Sequence, residues 1–285
     1  MKMNHSEYTM HHKTPRVVVL NQRGLTVREV SYQRHPSAPT ETDERITCHQ
    51  YDAGGFLRQS IDPRLAELQQ TDKTVKPNFS QRVSLRGDML RTESVDGGST
   101  VSLSDIAGRF VLVMTGIETD ARMIRTWQYE EGMSGRPLSV TEQIGSAGAS
   151  VMERFVWSGN TEVDKAYNLA GTCVRYYDPA GLSQTESIGL TGASLSLTRR
   201  LLPDGAPVHW KGEEESGWKA QLDAEGFTTQ YSTDATGVPL TSSDAMGNVQ
   251  RMVYGRAGLL KESWLKLTGK TEQVIVASVT YAAAG

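Results

Sequence analysis

A thiol and an imidazole stand side by side at Cys48 and His49, the residue types of a cysteine nucleophile and its general base. The residues around them predict a β-strand, in which neighbouring side chains point to opposite faces of the sheet. The two groups would then not meet. We interpret Cys48 as a small buried hydrophobe beside a surface histidine. With Cys173 as the only other cysteine, the chain has no disulfide framework.

Metal-binding and catalytic patterns are equally weak. His11 and His12 are adjacent in a polar stretch, without a cysteine or glutamate at ligand spacing. Aspartates recur along the chain, but each recurring unit offers one carboxylate, whereas Ca²⁺ binds about six to eight oxygens. The sequence also lacks the Gly-x-Ser-x-Gly, His-Glu-x-x-His and Gly-x-x-x-x-Gly-Lys motifs. We therefore expect no catalytic residue, no metal site and no cofactor.

Three further features were considered, and two of them allow two interpretations. The tripeptide Arg86-Gly87-Asp88 has the integrin-binding form, but Gly87 also falls where a hairpin turn is due. The acidic run at 213–215 predicts a solvated loop. The tryptophans could form a platform for sugar rings, although packing in a core or across strands is the commoner use. They are Trp127, Trp157, Trp210, Trp218 and Trp264.

Charge and hydropathy exclude several classes of partner. The 285 residues carry a net charge of −3 from 30 basic and 33 acidic side chains, so there is no basic field for nucleic acid. No apolar run reaches the roughly 18 residues of a membrane span. The first 15 residues lack an apolar segment typical of a signal peptide. These features predict synthesis in the cytoplasm and no insertion of this chain into a membrane.

The elements that position these residues are set by a repeat. Residues 177–182 read Tyr-Asp-Pro-Ala-Gly-Leu, and the pattern Asp-x-x-Gly occurs six times, where chance predicts about one occurrence. Its members are Asp52 with Gly55, Asp105 with Gly108, Asp178 with Gly181, Asp223 with Gly226, Asp234 with Gly237, and Asp244 with Gly247.

The repeat predicts β-hairpins. Aspartate suits the first turn position, where its carboxylate accepts a hydrogen bond from the backbone N–H two residues on. Glycine suits the position with positive φ that closes the turn. The spacing of successive units leaves strands of about six residues. We therefore predict an all-β fold of antiparallel hairpins in a curved, extended sheet, and we expect these twelve residues to be structural turn residues.

Other segments are predicted to form short helices and loops between the strands. Asp62 and Pro63 predict the start of a short helix over 64–70. Thr161 and Asp164 have the spacing of a capping box, which predicts a second short helix from Glu162. Residues 35–45 predict a surface loop, and residues 203–217 predict a solvated excursion. The expected organisation is a flexible tail over 1–14 followed by one repeat sheet over 15–285.

The Tyr-Asp unit resembles the RHS (rearrangement hot spot, or YD) repeat family. Longer stretches resemble the N-terminal part of the C component of Tc (ABC) insecticidal toxin complexes. They lie in family order at 14–15 (Thr-Pro), 49–52 (His-Gln-Tyr-Asp), 59–65 (Gln-Ser-Ile-Asp-Pro-Arg-Leu), 76–79 (Lys-Pro-Asn-Phe), 159–162 (Gly-Asn-Thr-Glu), 168–171 (Asn-Leu-Ala-Gly), 173–175 (Cys-Val-Arg) and 271–275 (Thr-Glu-Gln-Val-Ile).

The resemblance implies a function for this stretch. In that family, B and C components together build a hollow β-shell around the toxin domain at the C-terminus of the C component, and the A component is the translocation channel. An Asp-dependent autoprotease at the end of the RHS core releases the toxin. The chain has no RHS-core segment, autoproteolytic site or toxin domain, so the expectation is a truncated wall segment.

We thus expect a structural, non-enzymatic section of shell wall that assembles with a B component and with the missing C-terminal part of the C component, and indirectly with the A component. We expect its release from the cell within a toxin complex. The alternative function is a YD-repeat carbohydrate-binding or adhesion module, and an enzyme is the third hypothesis.

Overall fold

The computed structural model describes residues 11–132 and 135–282. This part of the chain contains 19 strands and three short helices, and consecutive strands within each unit pair antiparallel. The prediction of an all-β fold of antiparallel hairpins is confirmed. Most of the predicted tail, residues 1–10, lies outside the described residues, as do Met133 and Ser134.

The strands follow one another along almost the whole chain. They are β1 (Val17–Leu20), β2 (Thr26–His35), β3 (Ala38–Tyr51), β4 (Leu57–Ile61), β5 (Phe79–Val83), β6 (Met89–Ser94), β7 (Gly98–Ser104), β8 (Phe110–Thr115), β9 (Met123–Tyr129), β10 (Pro137–Ile144), β11 (Ser150–Trp157), β12 (Cys173–Asp178), β13 (Gly181–Ile188), β14 (Ser194–Leu201), β15 (Phe227–Thr233), β16 (Pro239–Ser243), β17 (Val249–Tyr254), β18 (Leu260–Lys266) and β19 (Gln273–Val276).

Two of the three helices begin where their capping residues predict. They are α1 (Pro63–Thr71), α2 (Glu162–Ala166) and α3 (Glu215–Lys219). Asp62 accepts a hydrogen bond from the Leu65 N–H, and the Thr161 capping box is complete. Helix α3 was not predicted, because it lies in the segment expected to be a solvated excursion. Within the described residues, no helix is long and apolar enough to cross a membrane.

The chain divides into two compact units. Unit 1 holds the described residues up to Thr126 together with Gln143–Gly148, and unit 2 holds Trp127–Glu142 and the residues from Ala149 onward. In an antiparallel meander the connections alternate between the two ends of the strands. Every second hairpin turn of a unit therefore lies at the same end of its strands. We call such a row of turns a turn edge.

The predicted loop over 35–45 is wrong. Strand β2 continues to His35, β3 begins at Ala38, and the register pairs Ser31 with Arg45 and Gln33 with Asp43. The segment is a two-stranded ribbon whose side chains are mostly exposed, so it lacks the alternation of apolar and polar residues that marks a half-buried strand. Its prolines had suggested a loop, but Pro36 occupies the tight turn between the strands.

The two units differ in how much apolar surface they bury. Among the described residues, Val30 is the one hydrophobic residue of unit 1 that counts as buried. Unit 2 has a compact cluster in which Tyr177, Leu182, Trp210, Trp218 and Leu222 pack together. Unit 1 thus depends mainly on its strand ladders and turns, whereas unit 2 adds a hydrophobic core over one face of its sheet.

Candidate functional site

The predicted turn aspartates accept hydrogen bonds from the backbone of their own turns. Asp105 Oδ1 accepts from the N–H groups of Ala107 at 2.9 Å and Arg109 at 3.0 Å. Asp234 and Asp244 make the equivalent pair of contacts, and Asp52 accepts from the Phe56 N–H. The glycines that close these turns have φ values of 89° at Gly55, 79° at Gly108, 88° at Gly237 and 77° at Gly247.

Two further turns have the same hydrogen bonding without an aspartate. Asn21 Oδ1 accepts from the Arg23 and Leu25 N–H groups, and Ser84 Oγ accepts from those of Arg86 and Asp88. The requirement at this position is a short side chain with an oxygen acceptor. The second of these turns confirms that a hairpin turn lies at Gly87, which has φ 93°.

Asp178 and Gly181 form a tighter turn than the other pairs. They face each other across the ladder, so Pro179 and Ala180 alone connect the strands. Asp178 Oδ1 accepts from the Ala180 and Gly181 N–H groups and from Arg199. Gly181 has φ 142°, and a Cβ there would lie 2.1 Å from the Arg200 carbonyl oxygen. Any larger residue at 181 would displace β14.

The hairpin turn predicted at Asp223 and Gly226 is wrong. Residues 215–219 before it form a helix rather than a strand, and Gly226 is not among the glycines with positive φ. The Asp223 N–H donates to the Leu201 carbonyl, and Arg200 donates to the Asp223 carbonyl. Asp223 therefore holds the end of a long connection beside β14.

Turns on the same edge of a unit contact each other. In unit 1, Arg23 Nη1 donates at 3.0 Å to the Ala53 carbonyl, which belongs to the next turn on that edge. In unit 2, a Cβ at Gly237 would lie 2.5 Å from Thr191 Oγ1 of the preceding turn on its edge. Glycine there allows both the positive φ and the close approach of a neighbouring turn.

The connection between β14 and β15 is the main feature that the sequence did not predict. We call this connection the return segment (residues 202–226). Residues 203–217 of it were expected to be a solvated excursion, and that prediction is wrong. Trp210 is 1% exposed and Trp218 is 7% exposed. Both rings meet Tyr177 edge to face, with centroid distances of 5.0 and 5.4 Å. The return segment thus covers the face of the sheet that carries Tyr177.

One carboxylate of the acidic run fastens the return segment. Glu215 forms a bidentate ion pair with Arg175 and accepts a 2.8 Å hydrogen bond from the Tyr177 hydroxyl. Burial alone would raise the pKa of Glu215, but the hydrogen bonds from Arg175 and Tyr177 outweigh it and leave the pKa below its usual value. Burial, together with the Glu215 contact, raises the pKa of Tyr177. The solvated-loop prediction therefore fails at Glu215.

A buried arginine completes the attachment. The Arg154 guanidinium stacks over Trp218 at 4.7 Å and donates to the Gly212 carbonyl at 2.8 Å. The Trp218 indole N–H donates to the same carbonyl at 3.1 Å. The backbone N–H of Trp210 donates to the Val151 carbonyl at 2.8 Å. Strands β11 and β12 thus hold the return segment through aromatic, ionic and backbone contacts.

The cysteines and the histidine considered for chemistry lie on strands β3 and β12. Cys48 and His49 are consecutive on β3, and His49 Nε2 lies 3.6 Å from Glu29 Oε1. Partial burial raises the pKa of the Cys173 thiol. Within the described ranges, no group of three His, Cys, Asp or Glu side chains could hold a metal ion.

Four of the five tryptophans offer little open surface for sugar stacking. Trp210 and Trp218 are enclosed in the core of unit 2. The Arg251 guanidinium lies 3.9 Å above the Trp264 ring, and Arg136 lies 5.1 Å from the Trp157 ring. Packing and cation–π contacts therefore account for these four rings.

Comparison with known proteins gives a consistent result, although no family model matches the chain. The toxin subunit YenC1 of Yersinia entomophaga is 48% identical over 99% of the chain, and YenC2 of the same organism is 46% identical over 96%. The crystal structure of TcdB2-TccC3-Cdc42 matches 98% of the chain with a TM-score of 0.89 and 46% identity. A structure of the Photorhabdus luminescens Tc holotoxin pore matches 97% with a TM-score of 0.88 and 47% identity.

The match covers a part of each relative. The chain spans 29% of the length of the two Yersinia subunits and 13% of the chain in each of these two solved structures. The similarity therefore concerns one continuous stretch of a larger protein.

Proposed function

We propose that the chain is a part of the C component of a Tc toxin complex and forms a section of the wall of a toxin-encapsulating shell. The observation that carries this proposal is the match of nearly all of its residues, at 46% identity and a TM-score of 0.89, to a TcdB2-TccC3 structure. A sheet of repeated hairpins with short, tightly closed turns is well suited to a continuous wall.

The partners of this wall section follow from the same reasoning. It assembles with a B component and with the remaining part of the C component, and through them with the A component. The protein is made in the cytoplasm and leaves the cell within the toxin complex. Its role is structural rather than catalytic, and any enzymatic activity belongs to the C-terminal region of the C component.

Protease protection of the enclosed region tests this function. A full-length C subunit that contains this stretch is mixed with its B component, and the complex is treated with an external protease. We expect the C-terminal region of the C subunit to survive in the complex and to be degraded in the unassembled subunit. Degradation at equal rates in both samples would contradict a wall function.

Substitutions in the core of unit 2 make the test specific to this stretch. The double substitution Trp210→Ala and Trp218→Ala removes both rings from the core around Tyr177, at a cost of about 3–5 kcal/mol for each buried ring. We expect protection to be lost. Glu214→Ala is the matched control, because Glu214 lies in the same return segment, is exposed, and makes no side-chain capping hydrogen bond to α3, and protection should persist.

A further inference from the structure

We draw no further inference here: the strongest candidate, the groove of about 440 Å³ between the hairpin turns at 234–238 and 255–258 of unit 2, to which Val238, Leu240, Met252 and Tyr254 contribute apolar surface, carries nothing, because nothing in the structure shows what covers it.

Discussion

The Tyr177 hydroxyl donates a 2.8 Å hydrogen bond to Glu215 Oε1, across 38 residues of sequence. Glu215 simultaneously pairs with Arg175, which lies two residues before Tyr177 on the same face of β12. The tyrosine of the Tyr-Asp unit therefore lies next to the last residue of β12 and also anchors the return segment. Trp210 and Trp218 both pack edge to face against the Tyr177 ring. Tyr177 therefore joins the local repeat to the core of unit 2.

Tyr177→Phe should lower the free energy of unfolding of the 285-residue chain by about 1.5–3 kcal/mol, since it removes a hydrogen bond to a charged partner and keeps the ring. Tyr281→Phe is the control, because its hydroxyl donates to the Leu260 carbonyl at an exposed site, where the loss should be about 1 kcal/mol or less. Urea denaturation measures both. Equal losses in the free energy of unfolding would show that the hydrogen bond to Glu215 stabilises the fold no more than the exposed one at Tyr281.

Gly237→Ala should destabilise the chain more than Gly258→Ala does. Both glycines have positive φ, which costs an alanine about 1–2 kcal/mol. A Cβ at 237 also meets Thr191 Oγ1 at 2.5 Å, whereas a Cβ at 258 meets nothing within 4 Å. Adding Thr191→Ala should recover part of the loss at 237 alone. A double-mutant cycle by urea denaturation tests this coupling, and purely additive losses would contradict contact between the turns.

The start of α1 should depend on pH through Asp62. Burial alone would raise the pKa of Asp62, but the Leu65 N–H and the Arg64 and Asn78 side chains lower it from 3.8 to about 2. Because the pKa is depressed in the folded state, the stabilisation is complete above pH 3.8 and is lost as the pH falls toward 2.

Asp62→Asn should remove this pH dependence, since asparagine still caps a helix but does not titrate. Amide hydrogen exchange of α1, followed from about pH 5 to about pH 2 and corrected for the intrinsic exchange rates, measures the effect. Asp62→Ala should instead cost about 0.5–2 kcal/mol at neutral pH. An unchanged pH profile in Asp62→Asn would mean that another group controls this helix.

A polypeptide of these 285 residues should self-associate. All four side chains of β1 are exposed, including Val18 at 48% and Leu20 at 56%, and among the described residues the strand pairs with β2 alone. An apolar edge strand is a template for pairing with another chain. Val18→Lys should reduce association in a light-scattering concentration series, and addition of the B component should suppress it. A monodisperse monomer at all concentrations would refute this prediction.

The hairpin turns could be predicted from the sequence because their chemistry is local. An aspartate oxygen that accepts from the next few N–H groups and a glycine with positive φ are specified within five residues. Asn21 and Ser84 follow the same chemistry with a different acceptor. The helix starts at Asp62 and Thr161 were equally predictable, since each capping contact spans three residues.

The return segment could not be predicted in the same way. Its partners on β11 and β12 lie tens of residues away, and its acidic run has the composition of a solvated loop. Of three consecutive glutamates, Glu215 alone pairs with Arg175, and no local signal distinguishes it from Glu213 or Glu214. The exposed ribbon over 35–45 escaped prediction for another reason, because two strands with polar side chains on both faces show no periodic pattern.

Contact between turns of one edge restricts how such a sheet can change in length. Thr191 and Gly237 belong to turns two strands apart, as do Arg23 and Ala53. Inserting one strand would move every later turn to the opposite end of the strands. Turns that now contact each other would then lie at opposite ends and lose that contact. Inserting two strands restores the row. Gain and loss of sequence in this sheet should therefore occur in whole hairpins, so that the unit of its evolution is a pair of strands.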